Sequence, residues 1–224
     1  MDFKVVIFGA SGMIGQAVLN ECIKNDTVSK ILLISRQKTN IANSKIEEII
    51  HTDMFNLTPI ATALSGFNVC YNCIGISSVG MDEKTFTRYT FDLTTHIAQT
   101  MLQNNPESYF TYISGQGTDS SEKGRVMWAR VKGRTENALI KMPFKAVYIF
   151  RPGYIQPLNG IKSRTKLYNA LYFFTKPLYF ILKHFEKQIT DTNRTAKSFI
   201  NCIKYNESKN ILEIEDINRL GILE

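Results

Sequence analysis

Short apolar runs alternate with longer amphipathic stretches along most of the chain. The runs are rich in β-branched and aromatic residues, which is typical of buried strands. The predicted strands are FKVVIF (3–8), KILLIS (30–35), IEEIIH (46–51), FNVCYNC (67–73), YFTYIS (109–114), KAVYIFR (145–151) and ILEIE (211–215). Helical spacing is found at 13–24, 57–64, 84–104, 124–141, 161–185 and 192–204. Strands that alternate with helices in this way predict an α/β fold, a doubly wound parallel sheet covered on both faces.

Length and composition favour one domain over several. The chain has 224 residues, of which 44% are apolar and 21% are charged, enough to bury one sizeable core. No internal repeat, low-complexity tract or flexible linker separates the alternating elements. We therefore expect a single domain over 1–224, with additional helices in its C-terminal third.

Segments that direct a chain out of the cytoplasm are not seen in the sequence. Met1 and Asp2 lead almost directly into the first strand, without the basic and apolar regions of a signal peptide. The most apolar late run, 170–182, is interrupted by Lys176 and Pro177 and is too short for a membrane span. Four cysteines in a chain of this length do not suggest a disulfide framework. We expect a cytoplasmic protein.

Cys70 and Cys73 form the C-x-x-C pattern that some redox and zinc sites use. The pair lies within an apolar strand, in which residues three positions apart point to opposite faces of the sheet. His51, His96 and His184 are scattered, and no second cysteine pair lies at zinc-ligand spacing. We therefore expect buried structural cysteines and no metal site.

The first predicted strand is followed by GASGMIG, with glycines at three-residue intervals, and then by an amphipathic helix. This order lets the main chain approach a pyrophosphate closely, while the free N–H groups at the helix N-terminus face the phosphates. A glycine triplet alone is weak evidence, but its place between a strand and a helix is specific. The predicted cofactor-binding residues of this loop are Gly9, Ser11, Gly12, Met13, Ile14 and Gly15. The sequence thus predicts a dinucleotide-binding fold of the Rossmann type.

The end of the second predicted strand bears on the choice between NAD and NADP. An Asp or Glu about 20 residues after the glycine turn is typical of NAD sites, because it accepts a hydrogen bond from the ribose 2′-hydroxyl. This chain has instead Ser35, Arg36 and Lys38, a hydroxyl and two cations that suit a 2′-phosphate. A solvated basic turn is the alternative explanation. We expect NADP(H) rather than NAD(H), with Arg36 at the 2′-phosphate.

Taken together, the motifs resemble the short-chain dehydrogenase/reductase superfamily, in its atypical branch of short NAD(P)-binding, epimerase/dehydratase-like proteins. They are GASGMIG after the first strand, HTDMFN after the third, CIG at the end of the fourth, YISGQGTDSS after the fifth, the helix WARVKGRTENAL, and FRPG after the sixth. The stretches ISGQGTD, KGRTE and FRPG are especially similar to the Tat-interacting-protein group. The resemblance runs through almost the whole chain and implies a nicotinamide dinucleotide cofactor.

The resemblance implies further residues at the adenine half of the cofactor. Asp53 and Met54 would flank the adenine ring, with Asp53 accepting a hydrogen bond from its amino group. Ile74 and Gly75 would pass close to the adenine ribose and the pyrophosphate. Simpler roles stay open, since Asp53 also suits a turn or a helix cap and Gly75 suits the end of a strand.

The resemblance also implies the residues around the nicotinamide. Lys132 would hold the hydroxyls of its ribose, and Pro152 with Gly153 would border the ring. In the family's usual mechanism a Tyr four residues before the Lys is the general acid, since residues i and i+4 share a helix face. Trp128 has that position here, and its indole N–H donates hydrogen bonds without usable acidity. Trp128 is therefore either a wall beside the nicotinamide or a packed core aromatic.

In the family's mechanism a Ser also orients the substrate, and several hydroxyl groups are candidates for that role or for the missing acid. Ser114 ends the fifth strand, although the family's Ser usually comes one or two residues later, and Ser77 and Ser78 follow the fourth strand. Tyr112 and Tyr154 are the candidate replacement acids, and residues of this kind are more commonly packing residues. Two functions stay open. One is an NADP-dependent oxidoreductase or epimerase with an altered acid, and the other is a cofactor-binding regulatory or interaction protein without turnover.

The basic segment 158–187 contains six Lys and Arg against the single Glu186, in a chain of formal net charge +7. Its aromatic residues recur at roughly helical spacing. By the resemblance, 154–187 is a lid over a small-molecule substrate that the sequence does not identify. A membrane-surface or partner helix is the second interpretation, because basic amphipathic helices bind anionic lipid. No recognition motif accompanies the charge, so we expect no nucleic-acid partner.

Overall fold

The computed structural model describes residues 2–161 and 189–223. The strands in these ranges are β1 (Phe3–Phe8), β2 (Val28–Ser35), β3 (Ile46–Ile50), β4 (Val69–Asn72), β5 (Tyr109–Ile113), β6 (Ala146–Arg151), β7 (Tyr154–Gln156), β8 (Ile189–Asp191) and β9 (Ile211–Glu213). Seven of them form one parallel sheet in the order β3-β2-β1-β4-β5-β6-β9, and β7 pairs in parallel with β8. The strand order reverses at β1, between β2 and β4. Sheets of this kind bind their ligands at such a switch point.

Helices connect the strands and cover both faces of the large sheet. They are α1 (Met13–Lys24), a 3₁₀ segment (Thr58–Leu64), α2 (Glu83–Thr87), a π turn (Arg88–Asp92), α3 (Leu93–Asn104), α4 (Met127–Ile140), α5 (Thr192–Lys204) and α6 (Ile214–Gly221). Carboxylates cap three of them, α2, α5 and α6. The Asp82 side chain accepts from the Thr85 N–H at the start of α2, and Asp191 accepts from Asn193 and Arg194 at the start of α5. Such caps satisfy N–H groups that have no partner within the helix.

Alternation along the central strands divides the core into two layers. On β1, Val5 and Ile7 pack with side chains of α1, α5 and α6, whereas Val6 and Phe8 pack with α3 and α4. All four are fully buried. A strand covered on both faces has a continuous apolar sequence, which is why the pattern identified these strands.

The two cysteines of the C-x-x-C pattern belong to different layers. Cys70 lies in the layer of α3 and α4, and Cys73 packs against the layer of α1 and α5. Strand alternation therefore separates the thiols. In the ranges 2–161 and 189–223, no group of three His, Cys, Asp or Glu side chains is placed to hold a metal ion. The helices of these ranges are also too short or too polar to span a bilayer.

The predicted α/β parallel sheet is confirmed, and the differences lie at the ends of elements. The strand predicted over 211–215 ends at Glu213, because Glu213 caps α6 through a reciprocal pair of hydrogen bonds with Asp216. The helix predicted over 84–104 contains the π turn. The start of the predicted helical lid is a strand, β7. The remainder of that lid, 162–187, lies outside the described residues, so the lid and the single-domain boundary stay predictions.

Candidate functional site

The glycine turn brings β1 and α1 into close contact. Gly9 has φ +81°, and a Cβ at this position would lie 2.9 Å from main-chain atoms of Cys73. A Cβ on Gly15 would lie 2.1 Å from the carbonyl oxygen of Gly9. Gly12 has more space, with its nearest contact at 3.4 Å. The turn itself therefore requires Gly9 and Gly15, whereas Gly12 is not required by packing.

Gly12 is the N-cap of α1, and no side chain caps this helix. The first N–H groups of a helix have no partner within the helix, so those of Met13 and Ile14 are available to an anion. The first turn of α1 carries no acidic residue. The positive end of the helix dipole therefore faces the carboxyl end of β1, and no carboxylate in the first turn of α1 compensates it.

Two adjoining clefts open at the carboxyl ends of the strands. The inner cleft, of about 420 Å³, contains predicted cofactor residues from four parts of the chain: Gly9, Ser11, Gly12, Ser35, Arg36, Asp53, Met54, Ile74 and Gly75. The outer cleft, of about 790 Å³, lies between α1 and the loop after β2. Ser11, Arg36 and Thr52 line both clefts. The fold thus brings the glycine turn, the end of β2, the HTDMFN turn and the end of β4 into one groove.

Two exposed cations and a buried hydroxyl lie at the end of β2. Arg36 and Lys38 line the outer cleft, and neither forms an ion pair with another described residue. Ser35 is 7% exposed, and its Oγ has no hydrogen-bond partner in the described structure. No carboxylate is found among the described residues that line the outer cleft. An unpartnered buried hydroxyl costs about 1–3 kcal/mol, so Ser35 favours a polar ligand beside Arg36.

Strand β3 holds the loop after β2 in place. The N–H of Thr39 donates to both carboxylate oxygens of Glu48 on β3, at 3.1 and 3.2 Å. Thr39 lines the outer cleft, whereas Glu48 lines neither cleft. The Glu48 carboxylate therefore fixes the main chain of the loop and does not offer an acceptor to a ribose in the groove.

Asp53 has the turn role that the sequence left open, and it also lines the inner cleft. Its Oδ1 accepts a hydrogen bond from the N–H of Phe55 at 3.0 Å. Met54 is buried and packs into the layer of α3 and α4. The space around the Gly75 Cα is open, and a Cβ added there would have no neighbouring atom within 4 Å. The main chain at Gly75 therefore leaves room for a ligand in the groove.

Helix α4 places Lys132 beside the end of β5. Its Nζ donates to the carbonyl oxygen of Ser114 at 2.8 Å and lies 5.8 Å from the centroid of the Tyr112 ring. Burial lowers the pKa of Lys132 to about 8, and the charge of Glu136 acts in the opposite direction. An ammonium group has three hydrogens, so the bond to Ser114 leaves two for ribose hydroxyls.

Trp128 is half-buried and lies one helical turn before Lys132 on α4. Its Cη2 atom lies 3.6 Å from where a Cβ of Gly117 would be, so the indole is next to the loop after β5. In that loop the Gln116 N–H donates to the Pro152 carbonyl oxygen at 2.9 Å. This bond joins the loops after β5 and β6. Trp128 therefore lies beside the loop after β5, and both of its possible roles stay predictions.

The Ser114 hydroxyl is buried, and its hydrogen is already used in a hydrogen bond. The Thr118 hydroxyl donates to the Gly115 carbonyl oxygen at 2.8 Å, so the 3.0 Å bond between Thr118 and Ser114 uses the hydrogen of Ser114. A hydroxyl has only one hydrogen to donate. Ser77 and Ser78 lie in the turn after β4, where the Ser77 Oγ accepts a main-chain N–H. The contacts of these three residues do not identify any of their hydroxyls as a substrate ligand.

The two tyrosines considered as replacement acids have other contacts. Tyr112 is buried, and burial raises the pKa of its phenol. The Lys132 ammonium lies over its ring. The Tyr154 hydroxyl donates to Oε1 of the buried Gln156 at 2.7 Å. Both arrangements are those of packing residues.

Lys132, Trp128, Ser114 and Pro152 thus form a second group, at the ends of β5 and β6. None of these four lines the inner or the outer cleft as described. The structure therefore gathers the residues predicted for the adenine side in one groove, and the residues predicted for the nicotinamide side form a separate group that lines neither cleft.

Among the inner-cleft residues that sequence reasoning missed are two aromatic residues and a cation: Phe55, Tyr89 and Arg88. Phe55 directly follows Asp53 and Met54, and an aromatic residue in that turn was a usable signal. Arg88 and Tyr89 lie in the π turn, which no motif marks. Their place at the cleft depends on how the helical segment packs, so only the folded chain reveals it.

Lys132→Met should remove a pH-dependent gain in stability that the wild type shows. The Lys132 pKa is about 8 in the folded chain against a usual 10.5, so the unfolded chain binds more protons between these values. The wild-type free energy of unfolding therefore gains a contribution as the pH rises, about 2 kcal/mol between roughly pH 7 and 9.5. Urea unfolding at both pH values measures it as a difference between wild type and variant. Equal pH dependence of the two proteins would contradict the shift.

The sequence and the fold were compared with those of known proteins. Residues 5–122, just over half of the chain, match the NAD dependent epimerase/dehydratase family. Protein HTATIP2 of Rattus norvegicus is 29% identical over 161 residues, which cover 68% of this chain and 64% of the rat protein. The chain thus spans a little under two thirds of that relative. The mitochondrial protein fmp52-2 of Aspergillus terreus is 25% identical over 167 residues, covering 74% and 72% of the two chains.

Among solved structures, a UDP-glucuronic acid 4-epimerase variant of Bacillus cereus, in complex with NAD and a fluorinated UDP-sugar, has the same fold. Its TM-score is 0.67 at 15% identity, over 95% of this chain and 77% of the epimerase. Identity this low shows the fold alone. The family match, together with the glycine turn and the strand order of the sheet, shows that the chain belongs to the NAD dependent epimerase/dehydratase family.

Proposed function

We propose that the protein binds NADP(H), with the adenine half of the dinucleotide in the inner cleft and the 2′-phosphate in the outer cleft. Family membership supports a nicotinamide dinucleotide. The observation that carries the choice of NADP is the pair of exposed cations, Arg36 and Lys38, beside the unpartnered Ser35 hydroxyl. An NAD site would need an acceptor for the ribose 2′-hydroxyl at this place, and no carboxylate lines the described outer cleft.

Each part of the groove has a physical role toward the cofactor. The N–H groups of Met13 and Ile14 hold the pyrophosphate, and Gly12 lets it approach the main chain. The Arg36 guanidinium forks onto the 2′-phosphate, Lys38 adds a point charge, and Ser35 donates a hydrogen bond. At the nicotinamide end, bound cofactor supplies a donor or acceptor of hydride.

Arg36→Ala should weaken NADPH binding roughly 10- to 100-fold and NADH binding less than about threefold, because a hydrogen bond to a charged group contributes about 1.5–3 kcal/mol. Calorimetric titration gives both dissociation constants, and the fluorescence of Trp128, the single tryptophan, gives a second signal. Lys141→Ala is the matched control, since it removes an exposed cation that lines neither cleft. Equal losses for NADPH and NADH would remove the 2′-phosphate from Arg36.

Two uses of the bound cofactor are supported by different observations. Family membership favours an oxidoreductase or epimerase, in which Lys132 holds the nicotinamide ribose. Trp128 at the place of the usual acid, together with the engaged hydroxyls of Ser114 and Tyr154, favours a cofactor-binding protein without rapid carbonyl reduction. Incubation of the protein with NADPH and a panel of aldehydes and ketones separates the two. Oxidation of NADPH above the protein-free rate would favour the enzyme.

A further inference from the structure

Arg88 begins the π turn between α2 and α3 and lines the inner cleft. Arg36, which follows β2, lines the same cleft. Strands β2 and β4 lie on opposite sides of β1, and Arg88 belongs to the helical segment after β4. The groove therefore receives a cationic side chain from each side of the switch point. The role proposed for Arg36 leaves that of Arg88 unexplained.

The Arg88 guanidinium lies over an aromatic ring at the wall of the cleft. Its guanidinium carbon is 4.9 Å from the centroid of the Phe55 ring. The Phe55 ring in turn meets the ring of Tyr89 edge to face, with centroids 5.7 Å apart. All three side chains line the inner cleft. Because a guanidinium is planar, a ring on one face leaves the other face for a second flat group.

The π turn contributes to this arrangement. A π turn holds one more residue than an α turn, so it changes the direction of the side chains that follow α2, and such turns are frequent at functional sites. Here the consecutive residues Arg88 and Tyr89 both reach the cleft. Thr90, the next residue, is buried. The turn therefore presents a cation and a ring together at the groove.

We propose that Arg88 is a base-binding residue, whose guanidinium stacks between the Phe55 ring and the adenine ring of a bound dinucleotide. The inference rests on the proposed binding of a dinucleotide in the inner cleft, but it does not depend on the preference for NADP. A purine ring has an electron-rich face that attracts a guanidinium. The oxidised nicotinamide ring is itself cationic, and the nicotinamide-side residues Lys132 and Trp128 do not line this cleft.

Stacking on adenine makes a prediction that differs from the one for Arg36. Arg88→Ala should weaken NADPH and NADH binding by the same factor, roughly 3- to 30-fold, since a cation–π contact contributes about 0.5–2 kcal/mol. Arg88→Lys should recover little of this loss, because an ammonium group has no flat face to stack. Binding is measured by calorimetry with NADPH, NADH and 5′-AMP.

Arg134→Ala is the matched control. Arg134 lies over the ring of Phe91, with its guanidinium carbon 4.1 Å from the centroid, and lines neither cleft. Arg134 is on α4 and Phe91 is in the π turn, so its removal takes away another guanidinium–ring contact of that turn. It should leave all three affinities within about twofold of the wild type. Both arginines are exposed, so the variants should keep the wild-type circular dichroism.

The outcomes separate this inference from the proposed function. Wild-type affinity in Arg88→Lys would overturn stacking in favour of a charge contact, and unchanged affinity in Arg88→Ala would overturn any contact. A loss confined to NADPH would overturn stacking in favour of a 2′-phosphate contact. Equal wild-type affinities for NADPH and NADH, with an equal loss of both in Arg88→Ala, would support the stack and reject the NADP preference. If neither NADPH nor NADH bound the wild type, both proposals would be overturned.

Discussion

Gly15→Ala should abolish dinucleotide binding and lower the free energy of unfolding by about 2–4 kcal/mol. The added methyl group would lie 2.1 Å from the Gly9 carbonyl oxygen and 2.9 Å from the Ala10 Cα. These are main-chain atoms, and they have little freedom to retreat. Gly9 itself has a φ in the left-handed region, and the main chain of Cys73 lies close to its Cα. The turn must therefore open, and the N-terminus of α1 moves away from the groove.

Gly12→Ala gives the matched comparison for this effect. Its added methyl group would meet the Gly9 carbonyl oxygen at 3.4 Å, which a small adjustment accommodates. We expect Gly12→Ala to unfold in urea within about 1 kcal/mol of the wild type, although it binds NADPH more weakly because the methyl group stands where the phosphates approach. Calorimetry should show a loss of more than about 100-fold for Gly15→Ala. An affinity near that of the wild type would show that the turn is not the phosphate site.

Glu136→Gln should destabilise the protein by about 3 kcal/mol. Glu136 on α4 is fully buried, and its carboxylate accepts hydrogen bonds from both Nε and Nη2 of Arg151 at the end of β6. Gln replaces the carboxylate with a neutral amide of similar shape. The Arg151 guanidinium, whose side chain is only 11% exposed, would then keep the more exposed Glu213 as its carboxylate partner. Removal of one member of a buried pair leaves the other charge without adequate compensation.

Glu47→Gln is the control for Glu136→Gln, because it breaks the exposed ion pair between Glu47 and Lys30 on the sheet edge. Exposed pairs contribute about 0–1 kcal/mol. Urea unfolding of the two variants at one pH compares them directly. Similar small losses would show that the Glu136–Arg151 pair adds little to stability. Because Glu136 also raises the pKa of Lys132, its replacement should lower the Lys132 pKa further.

The parts of the site that the sequence predicts are those fixed by local geometry. Gly9 is identifiable because its left-handed φ favours glycine, and Gly15 because the close contact of two backbones excludes a side chain. The two glycines lie at short, regular spacing in the sequence. Arg36 follows a buried strand, and its position at the groove comes from the strand order alone. Lys132 lies on a helix of clear periodicity, so its direction relative to Trp128 is set by the helix.

The parts that the sequence did not predict depend on how the elements pack and on the local path of loops and turns. Glu136 meets Arg151 only when α4 packs against β6, and nothing in the spacing of the two residues indicates it. The hydrogen bond between the Ser114 and Thr118 hydroxyls depends on the conformation of one loop. The place of Arg88 depends on a π turn whose extra residue interrupts the α-helical period. Periodicity identifies elements, but it carries no information on these pairings.

The bond between Glu48 and the Thr39 N–H has a consequence for how the groove behaves over time. Strand β3 is at the edge of the sheet, and strands at an edge open more readily than central ones. Each opening of β3 releases the Glu48 carboxylate and with it the loop that carries Arg36 and Lys38. In the binding mode proposed above, a 2′-phosphate would hold that loop in its closed form. By thermodynamic linkage the dinucleotide should therefore lower the population of the opened sheet edge, although no residue of β3 lines either cleft.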